Sequence, residues 1–292
     1  MICTLCPRRC GALRDGEHGE GFCKMPALPV AARAALHMWE EPCLSGKGGA
    51  GTVFFSGCTL GCVFCQNRAI SQEHFGRPLT EEELYRAFQR LADQRAECIE
   101  LVTPTQFTHV LAKVLERPVP GDLPVVWNSG GYERAEVLRC LEGKVDVYLP
   151  DLKYATPALA ARYSGAEDYP QAAKNAILEM YRQRGPVRLE DGMLKSGVLI
   201  RHLLLPGRVN EARLVMDWVA EQFPAGSVLF SLMAQYTPIG ELDGFPELER
   251  TVRGSELRAA QAYMENLGLS GYVQELSSVG EGFIPSFDLT GL

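Results

Sequence analysis

Beyond residue 50 the chain alternates short, continuous apolar runs with longer segments of helical periodicity. The runs predicted to form strands are 51–56, 98–102, 124–127, 145–149, 198–205 and 227–232, and the segments predicted to form helices are 80–95, 106–116, 133–142, 170–184, 210–223 and 255–267. Thr80 with Glu83 three places later is the sequence of a capping box, which indicates that a helix begins there.

Strands that alternate with helices predict an α/β fold with a parallel sheet and right-handed crossovers. The strands lack apolar-polar alternation, as expected when both faces of a sheet are covered. A partial (β/α)6 barrel of the TIM type is favoured, and a doubly wound open sheet is the alternative. We assign residues 51–292 to the barrel and C-terminal elements. Residues 1–50, rich in Cys, Gly and Pro, form a small metal-binding segment in this prediction.

Composition narrows the class of protein. Hydrophobic residues make up 46% of the 292 residues and charged residues 22%, which is ordinary globular usage. The net charge of −7 makes nucleic acid an improbable partner. No apolar run approaches the roughly 20 residues that span a bilayer, and the N-terminus lacks the pattern of a signal peptide. We therefore expect a cytoplasmic protein with no membrane partner.

The ten cysteines are unevenly distributed, because eight lie within the first 65 residues. Clustered cysteines in a reducing compartment bind metals more often than they form disulfides. Cys98 and Cys140 stand apart from the others in apolar surroundings, and we interpret both as small core residues.

The most informative motif is the loop Cys58-x3-Cys62-x2-Cys65, with Phe64 before its last cysteine. Three thiolates on one short loop can hold three irons of a 4Fe–4S cubane. The fourth iron then lacks a protein ligand and can chelate a small molecule that carries an amine and a carboxylate. Structural zinc, the alternative, requires four ligands.

This loop resembles that of the radical S-adenosylmethionine (SAM) superfamily, and more closely that of uncharacterised relatives of pyruvate formate-lyase activating enzyme. Cys65-Gln66-Asn67-Arg68 is similar to the Cys-His-Asn-Arg of the activating enzymes, with Gln66 in place of the histidine. Other segments that carry the resemblance are 128–132, 148–154, 201–207 and 233–236. It implies a barrel of the radical SAM type with Cys58, Cys62 and Cys65 as catalytic cluster ligands.

The resemblance also implies where SAM binds. The residues expected against it are Asn67, Thr103, Asn128, Ser129, Asp151, Lys153, Arg201 and His202. Lys153 suits a carboxylate, and Asp151 suits an ammonium group or a ribose hydroxyl.

Each of these positions has a structural alternative. Asp151 could cap a turn, Asn128 could support the turn before Gly130, and His202 could be a core histidine. Thr103 stands where superfamily members often have an acid that meets the ammonium of SAM, so the ammonium partner stays open.

A second group, Cys3-x2-Cys6-x3-Cys10-x12-Cys23, offers four thiolates. It could hold an auxiliary 4Fe–4S cluster, zinc or a single iron, or no metal. Cys43 could join either site, act as a catalytic thiol, or merely pack.

These observations predict a radical SAM enzyme. In such enzymes the reduced cluster cleaves SAM to methionine and a 5′-deoxyadenosyl radical, which abstracts hydrogen from a substrate. The substrate is unknown, either a small molecule or a protein, and the electron donor is expected to be a flavodoxin or ferredoxin. Alternatives are an activating enzyme for a glycyl-radical protein and a non-enzymatic iron–sulfur or zinc protein.

Overall fold

The computed structural model describes residues 2–240, 242–276 and 285–292. Its strands are β1 (Val30–His37), β2 (Ala50–Phe55), β3 (Arg77–Pro78), β4 (Ile99–Val102), β5 (Val125–Ser129), β6 (Val147–Pro150), β7 (Arg188–Glu190), β8 (Met193–Leu203), β9 (Leu229–Met233) and β10 (Gly271–Val273). Its α-helices are α1 (Pro42–Ser45), α2 (Arg68–Ser71), α3 (Glu81–Asp93), α4 (Thr108–Val114), α5 (Ala135–Leu138), α6 (Pro157–Ser164), α7 (Tyr169–Arg184), α8 (Val209–Gln222) and α9 (Gly254–Asn266).

All six predicted strands are confirmed, as β2, β4, β5, β6, β8 and β9, and they pair in that order with parallel neighbours. Strand β10 extends the parallel sheet beyond β9. At the other edge β1 pairs antiparallel with β2, and β3 pairs with β1. Because β3 and β10 end the pairing order in the described part of the chain, the barrel is partial.

Strand β1 was not predicted, although it lies within residues 1–50. Its antiparallel ladder with β2 makes its residues part of the sheet. The division of the chain at residue 50 stays a prediction, and the structure adds that the sheet begins N-terminal to it.

The helices differ from the prediction mainly in length. The capping box at Thr80 is confirmed, since Glu83 N donates to Thr80 Oγ1 at 3.2 Å and Thr80 N donates to Glu83 Oε2 at 2.8 Å. The helix predicted at 133–142 is only α5 followed by a 3-10 turn, and α6 was missed. No helix in the described ranges is long and apolar enough to cross a membrane.

The two faces of the strands pack against different partners. Successive side chains of a strand point to opposite faces. The outer face packs against α3, α7 and α8 in one large apolar cluster. The inner face carries a smaller apolar layer to which α1 contributes Cys43 and Leu44. Helix α1 therefore fills the interior beside the amino ends of the strands.

The predictions for the isolated cysteines had different outcomes. Cys98 is a core residue, as predicted, because it lies in the inner apolar layer. Cys140 is exposed, so its assignment to the core was wrong. Cys43 is buried in the same layer as Cys98, with 1% of its surface exposed, so it packs.

Gly131 fixes the loop after β5 against the loop after β6. Its φ is +74°, and a Cβ there would lie 2.3 Å from the carbonyl oxygen of Asp151. Gly165 also has a positive φ, +54°, but a Cβ there would meet nothing within 4 Å.

We expect Gly131→Ala to lower the free energy of unfolding by clearly more than the roughly 1–2 kcal/mol that left-handed backbone alone costs a non-glycine residue. Gly165→Ala is the matched control and should cost about that strain only. Urea unfolding of both variants, followed by circular dichroism, checks this. Equal losses would show that the close approach to Asp151 carries no cost.

Candidate active site

The three-cysteine loop follows β2 at the carboxyl edge of the parallel strands. Gly57 begins it with φ +75°, and a Cβ at that position would lie 2.9 Å from the carbonyl oxygen of Cys23. Glycine therefore lets the loop turn against the N-terminal segment. The loop ends at the short helix α2, where Gln72 Nε2 donates to the carbonyl of Cys62 at 2.9 Å.

Each thiol of this loop has a hydrogen-bond donor. Ser164 Oγ donates to Cys62 Sγ at 3.1 Å, Ser71 Oγ donates to Cys65 Sγ at 3.3 Å, and the backbone of Leu60 donates to Cys58 Sγ at 3.4 Å. These donors favour thiolate over thiol.

Burial, followed by the neighbouring cysteines, opposes the thiolate and raises the pKa of Cys65 to about 11. Burial also raises the pKa of Cys62, with Lys153 acting in the opposite direction. Metal binding displaces such protons, because only the thiolate is a ligand.

A single cavity of about 230 Å³ contains this loop and most of the predicted SAM residues. Its walls include Cys58, Cys62, Cys65, Asn67, Thr103, Asn128, Ser129, Asp151, Lys153 and Arg201. These residues follow β2, β4 and β6, end β5 or lie on β8, so the sheet brings together positions that are far apart in sequence. Of the predicted SAM residues, only His202 is not on its walls.

Arg201 organises the floor of this cavity. Its Nε donates to Asp151 Oδ1 at 2.9 Å, one terminal nitrogen donates to Glu40 Oε1 at 3.1 Å, and the other donates to Asn128 Oδ1 at 2.7 Å. The second oxygen of Asp151 accepts from Lys153 Nζ at 2.5 Å. Asp151 and Lys153 are thus paired with each other as well as facing the cavity.

Burial would raise the pKa of Asp151, but Lys153 and Arg201 outweigh it and hold that pKa below its ordinary value. Asp151 is therefore a carboxylate at neutral pH.

Three acids of this region, Glu40, Glu41 and Glu100, were not recognised in the sequence. Asn128 Nδ2 donates to Glu100 Oε1 at 2.6 Å. Burial and the adjacent Glu40 raise the pKa of Glu100 far above its ordinary value, so Glu100 is protonated and hydrogen-bonded to Glu40. Burial raises the pKa of Glu40 too, but this hydrogen bond and Arg201 bring it below its ordinary value.

Glu100 could have been recognised as a candidate site residue, because it is a charged residue inside an apolar strand. Glu100 lies on β4, two places after Cys98, so the two side chains face the interior together. Glu40 follows β1, a strand that the sequence analysis did not predict, and nothing in the local pattern indicated that it would reach Arg201.

His202 lies outside the cavity, on the outer face of β8. It is 2% exposed, and its Nδ1 is 2.7 Å from the carbonyl oxygen of Leu152. Because side chains alternate along a strand, Arg201 and its neighbour cannot face the same side. The structure therefore favours the core interpretation of His202.

Thr103 and Ser129 line the cavity but already have structural contacts. Thr103 has φ +58°, and its carbonyl accepts from Gln106 Nε2 at 2.8 Å. Ser129 Oγ donates at 2.6 Å to Glu133, a buried acid that also accepts from Trp127 Nε1 at 2.8 Å. The Thr103 carbonyl and the Ser129 hydroxyl thus already make hydrogen bonds that hold the ends of β4 and β5.

The second cysteine group folds as a compact turn segment beside the three-cysteine loop. Cys3, Cys6 and Cys23 are buried, whereas Cys10 is exposed. Burial, then the other cysteines of the group, raises the pKa of Cys6 to about 12. The four thiols are therefore close enough to interact electrostatically.

Arg8 joins the two cysteine groups. Its guanidinium donates to the carbonyls of Thr59 at 3.0 Å and Leu60 at 3.1 Å, inside the three-cysteine loop. It also donates to the carbonyl of Ser164 at 2.8 Å. The N-terminal segment thereby supports the loop that carries Cys58 and Cys62.

Among the residues that the structure describes, no three or more His, Cys, Asp or Glu side chains are arranged as ready ligands of one metal ion. The fit of the three-cysteine loop to a cluster rests on its donors, which are three thiols beside Lys153 on the wall of one cavity.

Comparisons with known proteins identify the family of the chain. The model of the radical SAM superfamily matches residues 52–218. An uncharacterised protein of Methanocaldococcus jannaschii is 28% identical over 277 residues, which are 91% of this chain and 75% of that protein.

Two solved structures align with parts of this chain. The hydrogenase maturase HydG is 14% identical and aligns with a TM-score of 0.51 over 80% of this chain and 54% of its own. A domain of a pyruvate formate-lyase activating enzyme from Bacteroides vulgatus is 12% identical, with a TM-score of 0.40 over 59% of this chain and 91% of that domain.

The chain belongs to the radical SAM superfamily, since the family model matches more than half of it. Membership implies an enzyme with a 4Fe–4S cluster and SAM as its cofactors, and it implies an external reductant. The α/β barrel of the radical SAM type predicted from the sequence is confirmed.

Because Arg201 is the cation shared by Asp151 and Glu40, we expect Arg201→Met to lower the free energy of unfolding by about 3–5 kcal/mol. In the wild type, the lowered pKa values of these acids contribute stability above about pH 4, and that stability is lost as the pH falls further. In the variant, Glu40 is buried without its cation and its pKa rises. The deficit should therefore be larger at pH 8 than at pH 5.

Urea unfolding at both pH values measures this difference. Arg86→Met is the control, because the pair of Arg86 with Glu82 is exposed and should contribute under about 1 kcal/mol. A pH-independent deficit in the Arg201 variant would contradict the assignment.

Proposed function

We propose that this protein cleaves SAM reductively at a 4Fe–4S cluster held by Cys58, Cys62 and Cys65, and uses the resulting radical to abstract hydrogen from a substrate. The observation that carries the proposal is the single cavity that unites these three thiols with Asn67, Asn128, Asp151 and Lys153. Three thiols leave one iron of a cubane free for the methionine end of SAM.

Bound there, the cluster and SAM together supply an electron and a 5′-deoxyadenosyl radical, which is chemistry that amino-acid side chains cannot provide. The residues of the chain bind and orient these two cofactors. Lys153 offers an ammonium to the SAM carboxylate, and Asp151 holds Lys153 in place at 2.5 Å. Asn128 presents an amide whose orientation is fixed by Arg201 and Glu100.

Glu40 is our candidate for the ammonium partner that the segment after β4 lacks. It lines the cysteine cavity, its side chain is 12% exposed, and it is ionised beside Arg201. An ionised carboxylate on the cavity wall suits the SAM ammonium, which the hydroxyl of Thr103 serves less well.

We also propose that Cys3, Cys6, Cys10 and Cys23 bind a second metal, as an auxiliary 4Fe–4S cluster or as zinc. The electrostatic coupling of the four thiols supports it. The contacts of Arg8 with the three-cysteine loop mean that such a site would also stabilise the active-site loop. A flavodoxin or ferredoxin is the proposed electron donor.

For the first site, we expect anaerobically reconstituted wild type to bind SAM and, after reduction with dithionite, to release 5′-deoxyadenosine slowly without substrate. Replacing Cys58, Cys62 and Cys65 by Ala should remove about four irons per chain and abolish this product. Iron analysis and chromatography of the products measure both effects. Cys140→Ala, at an exposed cysteine away from the site, should change neither.

Unchanged iron in the triple variant would refute the cluster assignment. A wild type that holds its cluster but neither binds nor cleaves SAM would favour the non-enzymatic alternative.

For the second site, metal analysis of that same triple variant should find metal at Cys3, Cys6, Cys10 and Cys23, and Cys6→Ala in this background should remove it. Residual iron and sulfide near four each would identify a cluster, and residual zinc would identify a structural site. A fully ligated metal contributes on the order of 10 kcal/mol, so its loss should also unfold the N-terminal segment. Absence of any metal would end this proposal.

A further inference from the structure

A second cavity, of about 270 Å³, adjoins the cysteine cavity. We call it the seam cavity, and its walls include Trp39, Glu40, Glu41, Arg201 and Tyr272. Glu40 and Arg201 also line the cysteine cavity, so the two spaces share a wall. A molecule in the seam cavity would therefore lie next to bound SAM.

The seam cavity lies between the two edges of the sheet. His37 at the end of β1 and Tyr272–Gln274 at β10 both line it. In the described part of the chain these two strands are not paired with each other, and they lie near opposite edges of the sheet. The described walls of the seam cavity thus come from both edges of the sheet.

The described walls of this cavity hold two carboxyl groups, of Glu40 and Glu41, and one guanidinium, of Arg201. Arg201 is the cation among them, and its nitrogens already donate to Asp151, Glu40 and Asn128. His37 does not add a charge, because burial lowers its pKa. A second carboxyl, that of Glu41, faces the cavity beyond the one that Arg201 holds. Burial raises the pKa of Glu41 to about 7, so a cation beside it would favour its ionised form.

Glu41 lacks a donor for one of its oxygens. Its side chain is 8% exposed, and Oε2 is buried without a hydrogen bond. The nearest nitrogen of Arg201 is 4.0 Å away, and the Ser231 hydroxyl faces the same carboxyl. A buried acceptor without a partner is costly, so a ligand that supplies a donor would be bound favourably.

The remaining walls suit an organic cation. The rings of Trp39 and Tyr272 line the cavity, and aromatic faces attract ammonium and guanidinium groups. Glu41 is held in place because its carbonyl begins α1, where the backbone of Leu44 donates to it at 2.8 Å. An acid beside aromatic rings suits an amine, because the cation can pair with the acid and contact the ring faces.

We infer that the seam cavity is the substrate site and that it binds a primary amine or guanidinium group of the substrate, with Glu41 as the partner of that cation. The inference rests on the proposed function, because only a substrate beside SAM could be attacked by the radical. Glu40 stays with the cysteine cavity, and Glu41, which lines the seam cavity alone, selects the substrate.

The test is binding of small probes to anaerobically reconstituted protein with its cluster oxidised and SAM bound, so that no turnover occurs. Titration calorimetry compares butylguanidinium with its neutral analogue butylurea. We expect butylguanidinium to bind wild type and butylurea to bind at least tenfold more weakly. Equal binding of the two, or no binding of any cationic probe, would overturn the inference.

The variant Glu41→Gln keeps the shape of the side chain and removes its charge. It should weaken butylguanidinium binding at least tenfold, and Glu41→Asp, which keeps the charge, should recover part of it. Glu221→Gln is the matched control, because it removes one charge from an exposed position on α8. Binding to Glu41→Gln within twofold of wild type would contradict the role of Glu41.

A second arm distinguishes the source of the cation. The peptide acetyl-Gly-Gly-Arg-Gly-Gly-amide presents the same guanidinium group on a protein side chain. Binding of this peptide in preference to butylguanidinium would identify a protein substrate, and the reverse would identify a small molecule, with the cation site supported either way.

These outcomes are separable from those of the proposed function. If the protein cleaves SAM but binds no cation, only the present inference is refuted. If the protein neither binds nor cleaves SAM, the proposed function is refuted, whatever the affinity of the protein for amines.

Discussion

The arrangement of the active site depends on one buried guanidinium. Arg201 projects from β8 into the barrel and contacts acids or amides that come from β5, from the end of β6 and from the segment after β1. Few side chains could connect these elements, because the geometry requires a planar group with donors in three directions. A lysine could neutralise one acid but could not orient three partners.

The same interaction determines the charge of the site. Asp151 and Glu40 are ionised in the interior because Arg201 and Lys153 compensate them. Glu100 has no cation of its own and therefore holds a proton, which makes it a hydrogen-bond partner of Glu40. The interior of the barrel thus has three layers: the apolar residues with α1, the ionic network, and the cavity with the cysteines.

The N-terminal segment supports both the sheet and the three-cysteine loop. Arg8 donates to carbonyls of the three-cysteine loop, and Gly57 must be glycine because that loop presses on Cys23. The segment that follows forms β1 and then delivers Glu40 and Glu41 into the barrel. The surroundings of the three-cysteine loop therefore depend on N-terminal residues for which the sequence pattern predicted no such role.

The sequence by itself determined the six parallel strands, the capping box at Thr80 and the three-cysteine loop, because each depends on residues that are close together along the chain. The family resemblance placed Asn128, Asp151, Lys153 and Arg201 near that loop, and the first three also follow predicted strands.

Only the tertiary structure decided the rest. It showed that His202 faces outward, that Cys140 is exposed, and that β1 joins the sheet. It also brought Glu40, Glu41 and Glu100 to Arg201. The physical reason is that burial, pairing and protonation of an acid depend on groups more than a hundred residues away, and local patterns of hydrophobicity contain no record of them.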